Sequence, residues 1–400
     1  MRLSKFQFEV LLLFVVLFSS FARAQQQEQP LADGTGGEDA VRSASILLAA
    51  GEVEQAEQLL KSYLDSHPKN CDALIALSDV RLQQQRITES TEFLAMALAA
   101  DPESVSVNEK VGDRLFQRRQ FAEAMDRYET VLLLQPHNVE ATKGEVEAAS
   151  QLALEARKGG NNEAAIAALQ HAREIVPDDP TLLFYFGIQA QQMGLLKDAE
   201  AALRQSLKLR PADQRTLYAL SRVEMDRDEL PAAEDHLRQY LNQVPNDASA
   251  HYGLGRLLYR ELRADDAAAE LKRSIDLQPA QTESYYELGQ IALDGRRDAD
   301  AQTLFAKTLA GNPNHGGALT GLGIVAYRAK DFVVSEQYCA SAVRNAPDYQ
   351  PAHYYHGLAL AKLGKKSESD RELAAAIDLA HSQEMSKHQG LQLADPPPLP

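Results

Sequence analysis

The 400-residue sequence predicts an all-α solenoid of stacked antiparallel helix pairs, and three observations predict it. Prolines recur at one spacing: Pro68, Pro102 and Pro136 are 34 residues apart, as are Pro177, Pro211, Pro245, Pro279, Pro313 and Pro347. Small residues hold two fixed places in that frame. Apolar residues recur at helical spacing twice per frame.

Composition agrees, and it narrows the function. Hydrophobic residues make up 44% and aromatics 6%, with no Trp, so Ala and Leu supply most of the apolar surface. Packed helices use such residues; a sandwich or barrel wants more β-branched and aromatic ones. With 41 basic and 57 acidic side chains the net charge is −16, so the basic footprint of a nucleic-acid binder is absent and no nucleic-acid partner is expected. Two Cys are too few for a disulfide framework or a four-ligand zinc site. A mean hydropathy of −0.35 speaks against a multi-span membrane protein. P-loop, G-x-S-x-G and H-E-x-x-H motifs are absent, so neither an enzyme nor a cofactor is expected.

Residues 1–24 read as a secretory signal. Arg2 and Lys5 precede an apolar run from Val10 to Phe18, followed by Ser19, Ser20 and the small-residue site Ala22-Arg23-Ala24, which predicts cleavage before Gln25. The run is short for a transmembrane helix. An uncleaved anchor is the alternative, because Glu9 weakens the basic region. No Cys follows the cleavage site, which argues against a lipid anchor. Losing Arg2, Lys5, Arg23 and Glu9 removes three positive charges and one negative, taking −16 to −18. None of the ten Asn lies in an N-x-Ser/Thr sequon, which suits a bacterial envelope better than an endoplasmic reticulum. The expected location is therefore exported, periplasmic in a bacterium or else secreted, with no membrane span after cleavage. Residues 25–36, Gln-rich and then Gly-rich, read as a flexible linker.

Residues 37–383 hold the repeats, in frames starting near 37, 71, 105, 139, 180, 214, 248, 282, 316 and 350. The spacing from Pro136 to Pro177 is 41, so the fourth repeat carries seven extra residues around Gln151–Asn162. Seven residues are about two helical turns, and either a bend or a longer helix would absorb them. In the frame from 282, Tyr285, Leu288, Gly289 and Ala292 form the inner stripe of a first helix, and Ala301, Leu304, Phe305 and Thr308 that of a second. The eighth frame residue is Gly at 112, 187, 255, 289, 323 and 357 and Ser at 78 and 221. The twentieth is Ala at 56, 124, 165, 199, 233, 267 and 301. Helices cross closely only where a side chain is small or absent. The proline then closes the second helix.

This pattern of Leu-Gly, Ala and terminal Pro at 34 residues resembles the tetratricopeptide repeat family over about 37–383, with about ten repeats. The first repeat lacks the Gly, the fourth is lengthened, and the tenth has His381 where the Pro would stand. The resemblance implies a right-handed superhelix whose first helices line a concave groove for peptide segments or partner helices. That is a non-enzymatic protein–protein interaction scaffold, here of the envelope or secreted space. Some members hold a C-terminal carboxylate with a Lys/Asn/Arg clamp on this face; the matching Ile75, Asp79, Glu109 and Asp113 do not supply one.

Within the expected groove the fifth frame residue reads Phe184, Tyr218, Tyr252, Tyr286, Thr320 and Tyr354. The ninth adds Arg222, Arg256 and Gln290, and the twelfth adds Tyr259 and Tyr327. Tyr offers rigid contact area with a polar tip, and Arg pairs with carboxylates or stacks on rings. This row is the candidate ligand-binding site, and it predicts a face less acidic than the whole chain. Packing of each ring on its neighbouring hairpin is the alternative. Because Tyr faces also stack on sugars, a carbohydrate-associated module for polysaccharide export or cell-wall assembly is a second functional reading, with glycans as partners.

Other motifs point to packing. His353 and His356, at i and i+3, occupy core frame positions, which outweighs a metal site. Gly321-Leu322-Gly323 with Ala326 imitates a dinucleotide fingerprint but follows no strand. Asp265-Asp266 are expected in an inter-helix turn as solvated charge. Cys71 and Cys339 are too far apart in a stacked array to meet; Cys71 reads as a partly exposed thiol open to intermolecular pairing, and Cys339 as a core residue. Residues 384–400 form a tail ending Pro396-Pro397-Pro398-Leu399-Pro400, either a polyproline docking ligand or a disordered end.

Overall fold

The computed structural model describes residues 36–385; the signal segment, nearly all of the linker and residues 386–400 of the tail lie outside the described residues. Twenty α-helices and no strand are present among the described residues. The first ten are α1 (Gly36–Ala49), α2 (Val53–Ser66), α3 (Cys71–Gln83), α4 (Ile87–Ala100), α5 (Val105–Gln117), α6 (Phe121–Leu134), α7 (Val139–Lys158), α8 (Asn162–Ile175), α9 (Pro180–Gln192) and α10 (Leu196–Leu209). They are followed by α11 (Gln214–Asp226), α12 (Leu230–Gln243), α13 (Ala248–Arg260), α14 (Ala264–Leu277), α15 (Thr282–Asp294), α16 (Asp298–Gly311), α17 (Gly316–Arg328), α18 (Phe332–Asn345), α19 (Gln350–Lys362) and α20 (Lys366–Met385). Odd-numbered helices are the first of each pair and even-numbered helices the second, in the ten expected frames. No helix among the described residues is long and apolar enough to cross a membrane.

Many boundaries have a local cause. Between repeats, the second helix stops before the proline, and at five of the nine prolines an Asn or Asp two residues on caps the next first helix. Asn70 and Asn138 accept from Ala73 and Ala141 N–H, and Asp179, Asp213 and Asp247 cap α9, α11 and α13 in the same way. Within a pair, the turn needs one residue in the left-handed region. It is Gly at 51, 160, 194 and 364, but Gln85, Arg119, Asp228, Leu262, Arg296 and Lys330 adopt it in the other six. The bond from Arg263 N–H to the Leu258 carbonyl, 2.9 Å, shows the six-to-one closure such a residue permits.

Helix pairs close as the small residues foretell. A Cβ at Gly187 would stand 2.6 Å from Leu203 Cγ, and one at Gly255 the same distance from Leu271 Cγ. The partner is always sixteen residues on: Tyr128 for Gly112, Phe305 for Gly289, Cys339 for Gly323 and Leu373 for Gly357. The twentieth-position alanines are fully buried opposite. Where that position is Ser, its hydroxyl is bonded: Ser90 to the Ser78 hydroxyl at 2.8 Å, Ser335 to the Gly323 carbonyl at 2.8 Å, Ser369 to the Gly357 carbonyl at 2.9 Å. No buried polar atom is left over at these crossings.

The chain divides into two compact units at Gln151/Leu152, inside α7. In unit 1 the core runs through Ala44, Leu60, Leu77 and Val80, then Leu74, Leu94 and Val107. In unit 2 a long cluster from Leu217 to Ile291 leads into one around Phe305. Each fully buried Leu or Phe contributes about 1.5–3 kcal/mol, so each stack rests on many equal increments. The seven extra residues are absorbed by lengthening: α7 spans 20 residues, against 13 for α3 or α9.

Candidate functional site

The first helices α13, α15, α17 and α19 of unit 2 touch in succession, and this aligns their fifth, ninth and twelfth frame residues in one row. The row is less open than the sequence suggests. Phe184 and Tyr218 are only 5% and 3% exposed. The Arg215 guanidinium covers the Phe184 ring at 5.2 Å, and Tyr218 packs on Tyr240 at 5.1 Å inside the main core cluster. These two rings are therefore packing residues: Phe184 is covered by Arg215 of the following hairpin, and Tyr218 is backed by Tyr240 of its own.

Further along, the residues form paired groups. Arg256 lies over the Tyr252 ring at 5.6 Å and reaches Glu287 with its Nε at 3.1 Å. Its charge is thereby matched from the next repeat. Burial pushes the Tyr252 hydroxyl up to about 12 and raises the Glu287 carboxyl, Arg256 opposing both. Tyr259 donates to Asp294 of the next first helix, and Gln191 donates to Asp226 at 2.9 Å in the equivalent place. The twelfth position thus stitches successive first helices. Arg222 lies beside Asp226, whose carboxyl burial raises and Gln191 and Arg222 lower.

Tyr286 is held on every side. Gln290 donates to its hydroxyl at 2.7 Å, the His315 ring lies 4.5 Å away, and Phe305 backs it at 6.1 Å. Its hydroxyl is held well above the usual phenol range, mainly by burial and then by Tyr349. His315 also caps α17, its Nδ1 accepting from Ala318 N–H at 3.0 Å while Nε2 faces Glu283 at 3.3 Å. Tyr327 is half-buried with its edge on Phe332, whereas Tyr354 is 43% exposed.

On unit 1 the same stripe is acidic. Asp79 meets Arg114 at 3.4 Å, Glu109 accepts from Asn138 at 2.6 Å, and Asp113 accepts from the Tyr128 hydroxyl at 3.0 Å. The expectation of a weakly acidic face fits the arginines of unit 2 and fails on unit 1.

The remaining motifs resolve into structure. His353 is buried, with Nδ1 on Glu372 at 2.7 Å and Nε2 on the Pro347 carbonyl at 2.8 Å. His251 repeats this with Glu270 and Pro245. A His nineteen residues before a Glu was a readable signal for this clamp. His356 sits between Glu336 and Glu372. The fingerprint glycines Gly321 and Gly323 lie against Phe305 and Cys339. Asp265 and Asp266 occupy the first turn of α14 rather than the turn before it, where they complement the helix dipole, Asp266 pairing with Arg263 at 2.9 Å. Burial and the charges of Asp101 and Asp72 raise the Cys71 thiol, the reverse of a reactive cysteine. Glu200, Glu224 and Glu229 gather closely enough to suggest a cation, but Arg204, Arg227 and His236 already bridge them.

Comparison with known proteins places this geometry. Family models described as tetratricopeptide repeat match residues 47–108, and again 186–248, 218–282 and 286–350, together more than half of the chain. No curated protein matches the sequence. Similar solved structures include MamA from Desulfovibrio magneticus RS-1, 22% identical, covering 42% of this chain and 96% of that one with a TM-score of 0.39. Another is YrrB, described as a tetratricopeptide protein with an unusual peptide-binding site, 20% identical over 47% of this chain and 97% of that one, TM-score 0.39. Yeast Tom70 is 13% identical over 88% of this chain and 89% of that one, TM-score 0.42. On its repeat frame, its helix pairs and these family matches, the chain belongs to the tetratricopeptide-repeat family, whose fold supports a protein–protein interaction scaffold.

Proposed function

We propose that unit 2 is a non-enzymatic scaffold that holds a peptide segment or partner helix against its first-helix row, in the envelope or secreted space to which residues 1–24 would direct the chain. The observation that carries this reading is the Tyr252–Arg256–Glu287 group. Half-buried ring area, a cation and a carboxylate lie together on the row, already fixed by one another. Groups fixed before binding lose little rotamer freedom on contact, so their contact energy goes into affinity. An adjacent cation and anion suit a neutral or mixed-charge segment better than an acidic one. That revises the role expected of Arg256, whose charge Glu287 already balances.

The test is co-purification of the tagged protein from its own cell envelope beside a Tyr252→Ala, Tyr259→Ala variant whose helicity is checked by circular dichroism. Partners lost from the variant alone are the expected result. Identical partner sets from both would overturn the reading. Sequencing the mature N-terminus checks the location: Gln25 is expected, and Met1 on exported protein would turn the signal into an anchor.

A further inference from the structure

In inner repeats of unit 2 the fifth-position ring is covered by the hairpin that follows. Arg215 at the start of α11 lies over Phe184, and His315 at the start of α17 lies over Tyr286. In the last repeat the fifth residue is Tyr354, and residues 384–400 contain no further frame. Its ring keeps a 43% exposed surface, while every other aromatic of the row in unit 2 is buried or half-buried. Tyr355 meets it edge-on at 5.3 Å and in turn touches Tyr327 at 6.3 Å. Ile324, Pro351 and Leu358 continue this face half-buried, and no charged residue stands at its second, fifth, ninth or twelfth positions in the last two repeats.

We infer that this uncharged aromatic face takes a proline-rich segment in polyproline II form, and that its occupant is the run Pro396–Pro400 of the same chain. Such a segment has no internal hydrogen bonds to lose, is ordered before it docks, and sets flat pyrrolidine rings on aromatic faces. The run has no charged side chain, in a chain whose net charge is −16, and so matches this end of the row, which has none at those positions either. Reach is sufficient. Helices α19 and α20 are antiparallel, Gly357 facing Leu373, so α20 ends beyond the end of the pair where α19 begins, and Tyr354 lies about one turn into α19. Pro396 lies eleven residues beyond Met385, a step that spans about 35 Å in extended chain. The tail thus supplies the cover that a following hairpin supplies elsewhere. The inference rests on the row being a binding face and names the occupant of its last two repeats.

A fluorescent peptide of residues 391–400 tests it, titrated against the full chain, a variant ending at Ala394, and that shortened variant carrying Tyr354→Ala. The shortened variant binds the peptide, and the full chain binds it about tenfold more weakly or less, because the tethered tail competes at high effective concentration. Tyr354→Ala weakens binding about tenfold, as loss of a central aromatic does, and Tyr354→Phe preserves it. A peptide with Pro396, Pro397 and Pro398 changed to Ala fails to bind, a control independent of how any protein variant folds. Absence of peptide binding to the shortened variant would overturn the inference, as would equal binding to full and shortened chains, or binding unaffected by Tyr354→Ala. Partner capture through Tyr252 is scored on the same proteins, so failure of tail docking leaves that reading separately decided.

Discussion

Leu271 occupies the space a side chain at Gly255 would need: a Cβ there would stand 2.6 Å from Leu271 Cγ and 3.2 Å from the Ala267 carbonyl. One of those neighbours is backbone and cannot rotate away. Gly255→Leu should therefore destabilise unit 2 by about 1–3 kcal/mol or more, read as a lower urea midpoint. Gly51→Ala acts differently, because nothing lies within 4 Å of it and only its φ of +80° resists. It should cost about 1 kcal/mol. Equal losses at both sites would argue against close crossing as the reason for the eighth-position glycines.

Leu262 supports the reverse substitution. It holds φ at 62° while 89% exposed, so its side chain gives little packing in return for a left-handed backbone. Leu262→Gly should raise stability by about 0.5–1 kcal/mol, the left-handed penalty less the added chain entropy of glycine. A lower melting temperature would contradict this.

Glu145 is fully buried in α7 with both carboxylate oxygens unpartnered, and burial together with Glu129 and Asp126 pushes its carboxyl up to about 8. An acid raised on folding binds its proton more tightly in the folded state. Stability should then fall as pH rises from about 4.3, where the unfolded chain ionises, to about 8, and level off above. Other repeats place Leu77, Leu220, Leu254, Leu288 and Leu322 at this frame position. Glu145→Leu should stabilise the protein at pH 8 by about 1–3 kcal/mol and remove that slope; an unchanged pH profile would show the carboxyl is not buried in solution.

Glu57 behaves oppositely. Arg81 first, then Lys61 and Gln84, hold its carboxyl well below the usual range, Arg81 Nη1 lying 2.6 Å away. Its contribution is complete above the unfolded value of about 4.3 and is lost as pH falls below that toward the folded value. Glu57→Gln should lower stability at pH 7 and flatten the acid limb of an unfolding curve in which the native protein weakens steadily below pH about 4.

The fold was legible because it repeats: Pro, the eighth-position Gly and the twentieth-position Ala each answer a demand that recurs every hairpin. Even the caps are written out, as Asn70 and Asp247 two residues after their prolines. What escaped the sequence lies where a common conformation lacks its usual residue, or where contacts cross repeats. Nothing in Arg119 or Lys330 announces a left-handed turn. Arg256 meets Glu287 thirty-one residues away, a separation that is neither helical nor the period, so its pairing could not be read from spacing. Phe184 and Tyr218 stand at the same frame position as Tyr354, and only the presence or absence of a covering neighbour separates them.

The lengthened α7 has a consequence in phase. Seven residues turn an α-helix through about 700°, only about 20° short of two full revolutions, so the added stretch points almost the same way as the stretch it repeats. Ala141 and Ala148, and Val146 and Ala153, are buried pairs at that interval. An insertion of five residues would have turned the following stretch through about 500°, about 140° past one revolution, and carried Ala153 off the buried side. Along this helix a step of seven keeps the buried side in register, where a step of five or nine would not.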